Sequence, residues 1–270
     1  MDADHEEQEA YGLADIIKHL AANKVARPTR ESGVEQLSAF LKTDEEISEL
    51  DMLKIWKGLY YTMWMTDRPK VQQAMANRLA SLLLDCSLQV NTTRFLNAFW
   101  ATITRDWRSI DVLRIDKYYL LIRRYVSVMF EKLIESDWNS TLLIQFNEIL
   151  IRYPLNPKDT SIADGIRYHM IDIYIDELER TLSEHSIPQP APMAVLLKPF
   201  ENLVLTALSK VVRKRAFDEV LMDKRLSRSG YISPITQVQR KAKDGKPVTL
   251  YELHDHSSLF VKQHKRSKTD

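Results

Sequence analysis

The sequence predicts an all-α protein, and three observations carry that prediction. Apolar residues recur at helical spacing nearly everywhere up to about residue 225. Six glycines in 270 residues are too few for a turn-rich β architecture. The breaks between apolar stripes fall at prolines and capping residues, where helices stop and restart.

Along the chain, Trp56-Lys57-Gly58-Leu59-Tyr60-Tyr61-Thr62-Met63-Trp64 puts Trp56, Tyr60 and Met63 on one core-facing stripe and leaves Tyr61 on another face. Gly58 inside that helix lets a second helix approach closely. Asp67-Arg68-Pro69 places a capping residue before a proline and starts the next helix. Asn91-Thr92-Thr93 is read as the cap of the helix carrying Leu96, Phe99, Trp100, Ile103 and Trp107. Asp106 to Ile110 reads as a short corner. Ile115, Tyr119, Ile122, Val126, Met129 and Leu133 then step by 4, 3, 4, 3 and 4, one continuous stripe. Leu142, Phe146, Ile149 and Leu150 form a shorter one, ended by Tyr153-Pro154-Leu155-Asn156-Pro157 because proline lacks an N–H and constrains its predecessor. Ile166, Met170, Ile173, Tyr174 and Leu178 follow. After the proline-rich linker 187–192 comes a last stripe through Leu196, Phe200, Leu203, Val204, Ala207 and Val211.

Short loops between such helices imply antiparallel neighbours, hence an irregular α-solenoid or HEAT-like stack, with a globular helical bundle as the competing architecture. No fixed-period repeat is visible. The expected organisation is a helical-repeat-like domain over 1–226 and a basic extended C-terminal arm over 227–270. Within the arm, Val248 to Leu253 alternates like a short strand that Asp244-Gly245 could turn back on Ile235–Val238, a hairpin too small to stand alone.

The net charge of +1 hides an asymmetry: residues 1–209 hold 23 Lys/Arg and 30 Asp/Glu (−7), and residues 210–270 hold 15 and 7 (+8). Such a chain can meet proteins along an acidic body and a polyanion at its basic end. The single Cys86 excludes an internal disulfide framework and suits a reducing compartment. No apolar run approaches the roughly 18 residues of a membrane span, and Met1 to Glu7 does not read as a signal peptide.

Little catalytic chemistry is legible. His169, Asp172, Asp176 and Glu179 share a helical spacing that could offer metal ligands, but a solvated acidic face is the commoner cause. Cys86 follows Leu82-Leu83-Leu84-Asp85 and reads as a buried small hydrophobe. Arg105, Arg108 and Arg114 around Trp107 read as salt-bridge partners of Asp106, Asp111 and Asp116. Lys210, Arg213, Lys214 and Arg215 are candidates for phosphate contact through charge-assisted hydrogen bonds, continued by Arg240, Lys241, Lys243, Lys262, Lys265 and Arg266. Tyr61 and Arg68 are candidates for contact with partner proteins. No cofactor, metal or small-molecule substrate is expected.

The block from Trp56 to Trp64, with Asp67-Arg68-Pro69 and Gln72, resembles the signature of the eukaryotic ribosomal RNA-processing protein one family, the nucleolar Nop-type family. Further matches follow in order: Phe95-Leu96, Phe99-Trp100, Arg105-Asp106-Trp107, Ile110-Asp111, Leu113 to Tyr119, Leu121 to Arg123, Gly165-Ile166, His169, Asp172 to Leu178 and Pro199-Phe200. The resemblance covers about residues 48–220 and looks more like the fungal members than the animal ones. It implies a non-enzymatic nucleolar assembly factor of the large ribosomal subunit, with a helical-repeat fold and no catalytic residues. It also implies Brix-domain and WD-repeat partners and a part in maturation of precursor ribosomal RNA, while contact with that RNA is read from the basic residues at the C-terminal end. A protein-only adaptor without RNA contact is the alternative.

Overall fold

A computed structural model describes residues 12–21, 27–185, 190–228 and 230–235. Among them the regular structure is entirely helical. The chain divides into two compact units: described residues up to Ile103 with Asp111–Val128, and Thr104–Ile110 with the described residues from Met129 onward.

The first unit contains α1 (Leu13–Ala21), α2 (Arg27–Leu41), α3 (Glu49–Trp64), α4 (Pro69–Asp85), most of α5 (Gln89–Asp106) and the first part of α6 (Ile115–Glu135). α3 starts where Ser48 accepts a hydrogen bond from the Asp51 N–H. It buries the stripe that its spacing predicts, Met52, Ile55, Trp56, Leu59, Tyr60 and Met63. Trp56 is the centre of the unit, its ring 5.0 Å from Phe95, 4.8 Å from Phe99 and 5.4 Å from Tyr125. Tyr118, next to the expected Tyr119, is the fully buried tyrosine at the start of α6. It stacks on Tyr60 at 4.9 Å and donates to the Tyr60 carbonyl at 2.9 Å.

Two capping expectations are not met, the second because its side chain is used elsewhere. Proline opens α4 as expected, but the cap position is Arg68 and no side chain caps it; instead Gln72 donates to the Thr66 carbonyl. Asn91 lies inside α5 and is fully buried, where it accepts from the Ile47 N–H and donates to the Glu45 carbonyl. It pins the α2–α3 connection rather than opening a helix.

Gly58 does what its position suggests. A Cβ there would lie 2.6 Å from Leu20 Cβ and 3.1 Å from the Leu20 carbonyl carbon, so α1 crosses α3 at this residue. Leu20 Cβ is fixed to its backbone and cannot rotate away. Gly58→Ala therefore costs about 1–3 kcal/mol through overpacking, more than the roughly 1 kcal/mol that helix propensity returns. Urea unfolding checks this, and unchanged stability would mean that α1 does not pack here.

The second unit holds the end of α5, a 3₁₀ turn at Trp107–Ser109, the end of α6, α7 (Ser140–Arg152) and α8 (Asp164–Glu184), followed by α9 (Met193–Leu196), α10 (Lys198–Thr206), α11 (Lys210–Arg215) and α12 (Lys224–Arg228). Asn139 caps α7 by accepting from the Leu142 N–H. Tyr174 of α8 anchors the core, 5.0 Å from Phe130 and 4.6 Å from Phe200, with its hydroxyl donating to the Leu196 carbonyl at 2.8 Å.

The last apolar stripe is not one helix. It breaks at Ala207–Ser209, and Ser209 caps a new helix that runs into a π-helical turn, Ala216–Leu221. The Leu208 N–H bonds instead to the Pro157 carbonyl at 3.0 Å. The arm expected from residue 227 stays attached as far as residue 235: Tyr231 and Ser233 hydroxyls donate to Glu201 at 2.9 and 2.8 Å, and Ile235 is buried. Single hydrogen bonds of this kind leave no periodic mark in a sequence. The expected strand at 248–253 lies outside the described residues.

Candidate functional site

In the first unit, the end of α3 is clasped by the turn that leads into α6. Asp111 organises that turn: its carboxylate accepts from the Leu113 N–H at 3.0 Å and from the Arg114 guanidinium, and its carbonyl accepts from the Arg114 and Ile115 N–H groups. Arg114 lies over Trp64, 4.7 Å from the ring centroid. Lys117 is buried and donates to the Trp64 and Thr66 carbonyls at 2.6 and 2.8 Å. Burial lowers the Lys117 pKa, as it must where an ammonium leaves water.

This clasp presents Val112 and Leu113 to solvent, 81% and 88% exposed. At the end of α3 Tyr61 is 36% exposed and Met65 is also exposed, with Arg68 exposed beyond them. Two consecutive aliphatics held outward on a hydrogen-bonded turn form a small exposed apolar patch. The sequence carried a signal for them: Val112 and Leu113 are an apolar pair inside a polar corner, outside every helical stripe.

In the second unit the predicted basic cluster separates. Lys210 is exposed. Arg213 is buried, and its guanidinium donates to the Ala207 carbonyl and, at 3.3 Å, to the Leu208 carbonyl. It closes the broken stripe, so its expected phosphate contact is replaced by a structural one. Lys214 pairs with Asp218. Arg215 pairs with Glu219 at 2.9 Å and Asp172 at 2.7 Å and sits 4.8 Å from the Tyr168 ring centroid. Arg240, Lys241, Lys243, Lys262, Lys265 and Arg266 lie outside the described residues.

The acidic stripe of α8 is taken up by arginines. Asp172 faces Arg215, while Asp176 and Glu179 both accept from Arg225, which also holds Asp223. Those hydrogen bonds, Asp223 first, raise the Arg225 pKa further. Among the described residues no cluster of His, Cys, Asp and Glu is arranged to hold a metal ion, and no helix is long and apolar enough to cross a membrane. Cys86 is buried with its thiol toward the Leu82 carbonyl, the packing role its neighbours imply.

The arginines around Trp107 follow expectation in two of three cases. Arg105 pairs with Asp106 and Arg114 with Asp111. Arg108 is different: it donates to the Thr160 carbonyl at 2.9 Å and stays exposed.

The family model described as "Nucleolar protein, Nop52" matches residues 13–267. The chain is 38% identical over 156 residues to human ribosomal RNA processing protein 1 homolog B, covering 56% of this chain and 20% of that protein. It is 31% identical over 170 residues to mouse homolog A, covering 61% and 34%, and 30% identical over 199 residues to the Drosophila melanogaster homolog, covering 71% and 28%. The chain thus spans about a fifth to a third of the length of these relatives. A match over nearly the whole of the described fold shows the family: the chain belongs to the Nop52 family of nucleolar proteins.

Proposed function

We propose that this protein acts in ribosomal RNA processing in the nucleolus as a helical scaffold for the large ribosomal subunit. It would hold assembly factors and precursor RNA together, raising their effective concentration without making or breaking a bond itself. The relatives' names carry the process. The observation that carries the scaffold role is the Val112–Leu113 turn, fixed by Asp111, Arg114 and Lys117 and almost wholly exposed. Tyr61 and Arg68 extend the same reading along the end of α3 and the start of α4. Brix-domain and WD-repeat assembly factors are the proposed partners, following the family resemblance. Lys210, Lys214 and the basic residues after 239 are the proposed RNA contacts.

The protein-only adaptor has one observation in its favour: Arg213, Lys214 and Arg215 already have acceptors within the protein. Purification of the tagged protein at moderate salt, with proteins identified and RNA crosslinks mapped, separates the two. Large-subunit precursors crosslinked to the chain support the scaffold. Assembly factors recovered without RNA crosslinks support the adaptor, and recovery of neither defeats both.

A further inference from the structure

The pocket beside Arg108 belongs wholly to the second unit and has a volume of about 230 Å³. That is below the roughly 300–1,000 Å³ of small-molecule and cofactor sites, so it suits one protruding group of a larger molecule. Its walls are apolar on several sides, from Pro157, Ile162, Leu208 and Val212. Leu208 is 63% exposed at the mouth.

The rim is cationic. The bond from Arg108 to the Thr160 carbonyl holds one edge of the guanidinium plane, and the group remains exposed to an outside acceptor. Lys158 is exposed on a loop fixed by Asn156, whose side-chain oxygen accepts from the Lys158 and Asp159 N–H groups at 3.0 and 2.9 Å. Two carboxylates also line the pocket, and both are engaged from within. Asp159 accepts from the Ser161 N–H and hydroxyl at 2.8 and 2.6 Å, and Asp164 pairs with Arg167 at 2.9 Å. Arg167, donating to the Asn156, Asp159 and Ile162 carbonyls, lies in the wall, and Arg213 lies behind Ala207 and Leu208. Among the lining residues, Arg108, Lys158 and Arg167 against Asp159 and Asp164 leave one positive charge. The first 209 residues together carry −7, so the pocket stands out as a local attractor for an anion.

We propose that this pocket takes a single unpaired nucleotide of RNA, its base between the aliphatic wall and the Arg108 plane and its phosphate on Arg108 and Lys158. Bases in single strands are read by stacking on flat or apolar side chains, with Arg and Lys tracking the backbone, and a paired base cannot leave its stack without cost. An acidic peptide would satisfy the charges. It leaves the apolar wall of Pro157, Ile162, Leu208 and Val212 unused unless it also brings an apolar or aromatic residue.

The proposal rests on the scaffold reading and is tested apart from it. Fluorescence anisotropy on the purified full chain uses a labelled mixed-sequence 12-nucleotide single strand, the same sequence as a duplex, and an acidic peptide containing tyrosine. The single strand should bind more tightly than the duplex. The double variant Arg108→Ala, Lys158→Ala should weaken the single strand about tenfold or more and flatten its salt dependence by roughly 0.7 of log–log slope, the value for one phosphate no longer neutralised. Leu208→Asp should weaken it comparably, and ultraviolet crosslinks should fall in the peptides holding Pro157 and Leu208. Matching thermal melting of the variants excludes misfolding. Single-strand affinity unchanged in the variants overturns the pocket while leaving RNA contact to the basic tail. Equal binding of duplex, binding of the peptide alone, or no RNA binding at all also overturns it. The scaffold reading then stands or falls on the assembly factors recovered in the purification.

Discussion

Trp56→Ala lowers the unfolding free energy of the unit it centres by about 3–5 kcal/mol, the range for deleting a large buried aromatic. Trp56 is fully buried and touches Phe95, Phe99 and Tyr125 from three directions, so the vacated space is walled by rings that cannot collapse together. Against a total stability of about 5–15 kcal/mol for an ordinary domain, that loss threatens folding at physiological temperature. Tyr125→Phe provides the contrast. The Tyr125 hydroxyl is buried without a protein hydrogen-bond partner, and burial raises its pKa well above the ordinary phenol range. Removing an unpaired polar group is neutral or stabilising, by up to about 1 kcal/mol. Tyr174→Phe should instead lose about 1 kcal/mol, because that hydroxyl donates to the Leu196 carbonyl. Urea unfolding of the three variants is the measurement. A loss below 1 kcal/mol for Trp56→Ala would remove Trp56 from the centre of the core.

The sequence carried the helices and most of their buried faces, because a helix of 3.6 residues per turn writes its core side into the spacing of apolar residues. The stripe from Ile115 to Leu133 became α6, and the α3 stripe buried Trp56, Tyr60 and Met63. What spacing cannot report is which distant group a polar side chain will meet. Asn91 has the residue type and setting of a cap and is drawn inward by Ile47 and Glu45. Arg213 stands in a run of cations and is withdrawn to hold a broken stripe that looks continuous in sequence. Arg108 has carboxylates near it in sequence and finds a carbonyl 52 residues away. In each case the deciding partner is remote in sequence or tied to a break that spacing does not show. Val112 and Leu113 are the opposite kind of miss: the signal was local and lay between the stripes.

On the scaffold reading proposed above, changing Val112 and Leu113 together to aspartate lowers recovery of assembly factors with the purified protein by at least tenfold while leaving the fold intact. Both side chains are more than four-fifths exposed, so their replacement costs the isolated protein within about 0.5 kcal/mol. In a complex the same pair would be desolvated, and burying one aliphatic side chain is worth about 1.5–3 kcal/mol before the costs of association. The turn is already rigid, held by Asp111, Arg114 and Lys117, so little ordering entropy offsets that gain. A central anchor of this kind contributes about 2 kcal/mol or more, roughly thirtyfold in affinity. Two carboxylates in its place would add the desolvation of unpaired charge. Leu50→Asp is the matched control, since Leu50 is also an exposed leucine but lies on the first turn of α3, away from the clasp. The measurement is quantitative recovery of co-purified proteins from cells carrying each tagged variant, alongside thermal melting of the purified chains. Equal recovery from wild type and the double variant would sink the docking role of this turn. Equal losses from the double variant and Leu50→Asp would show that recovery responds to surface charge in general, and the partner surface would then have to lie elsewhere on the helices.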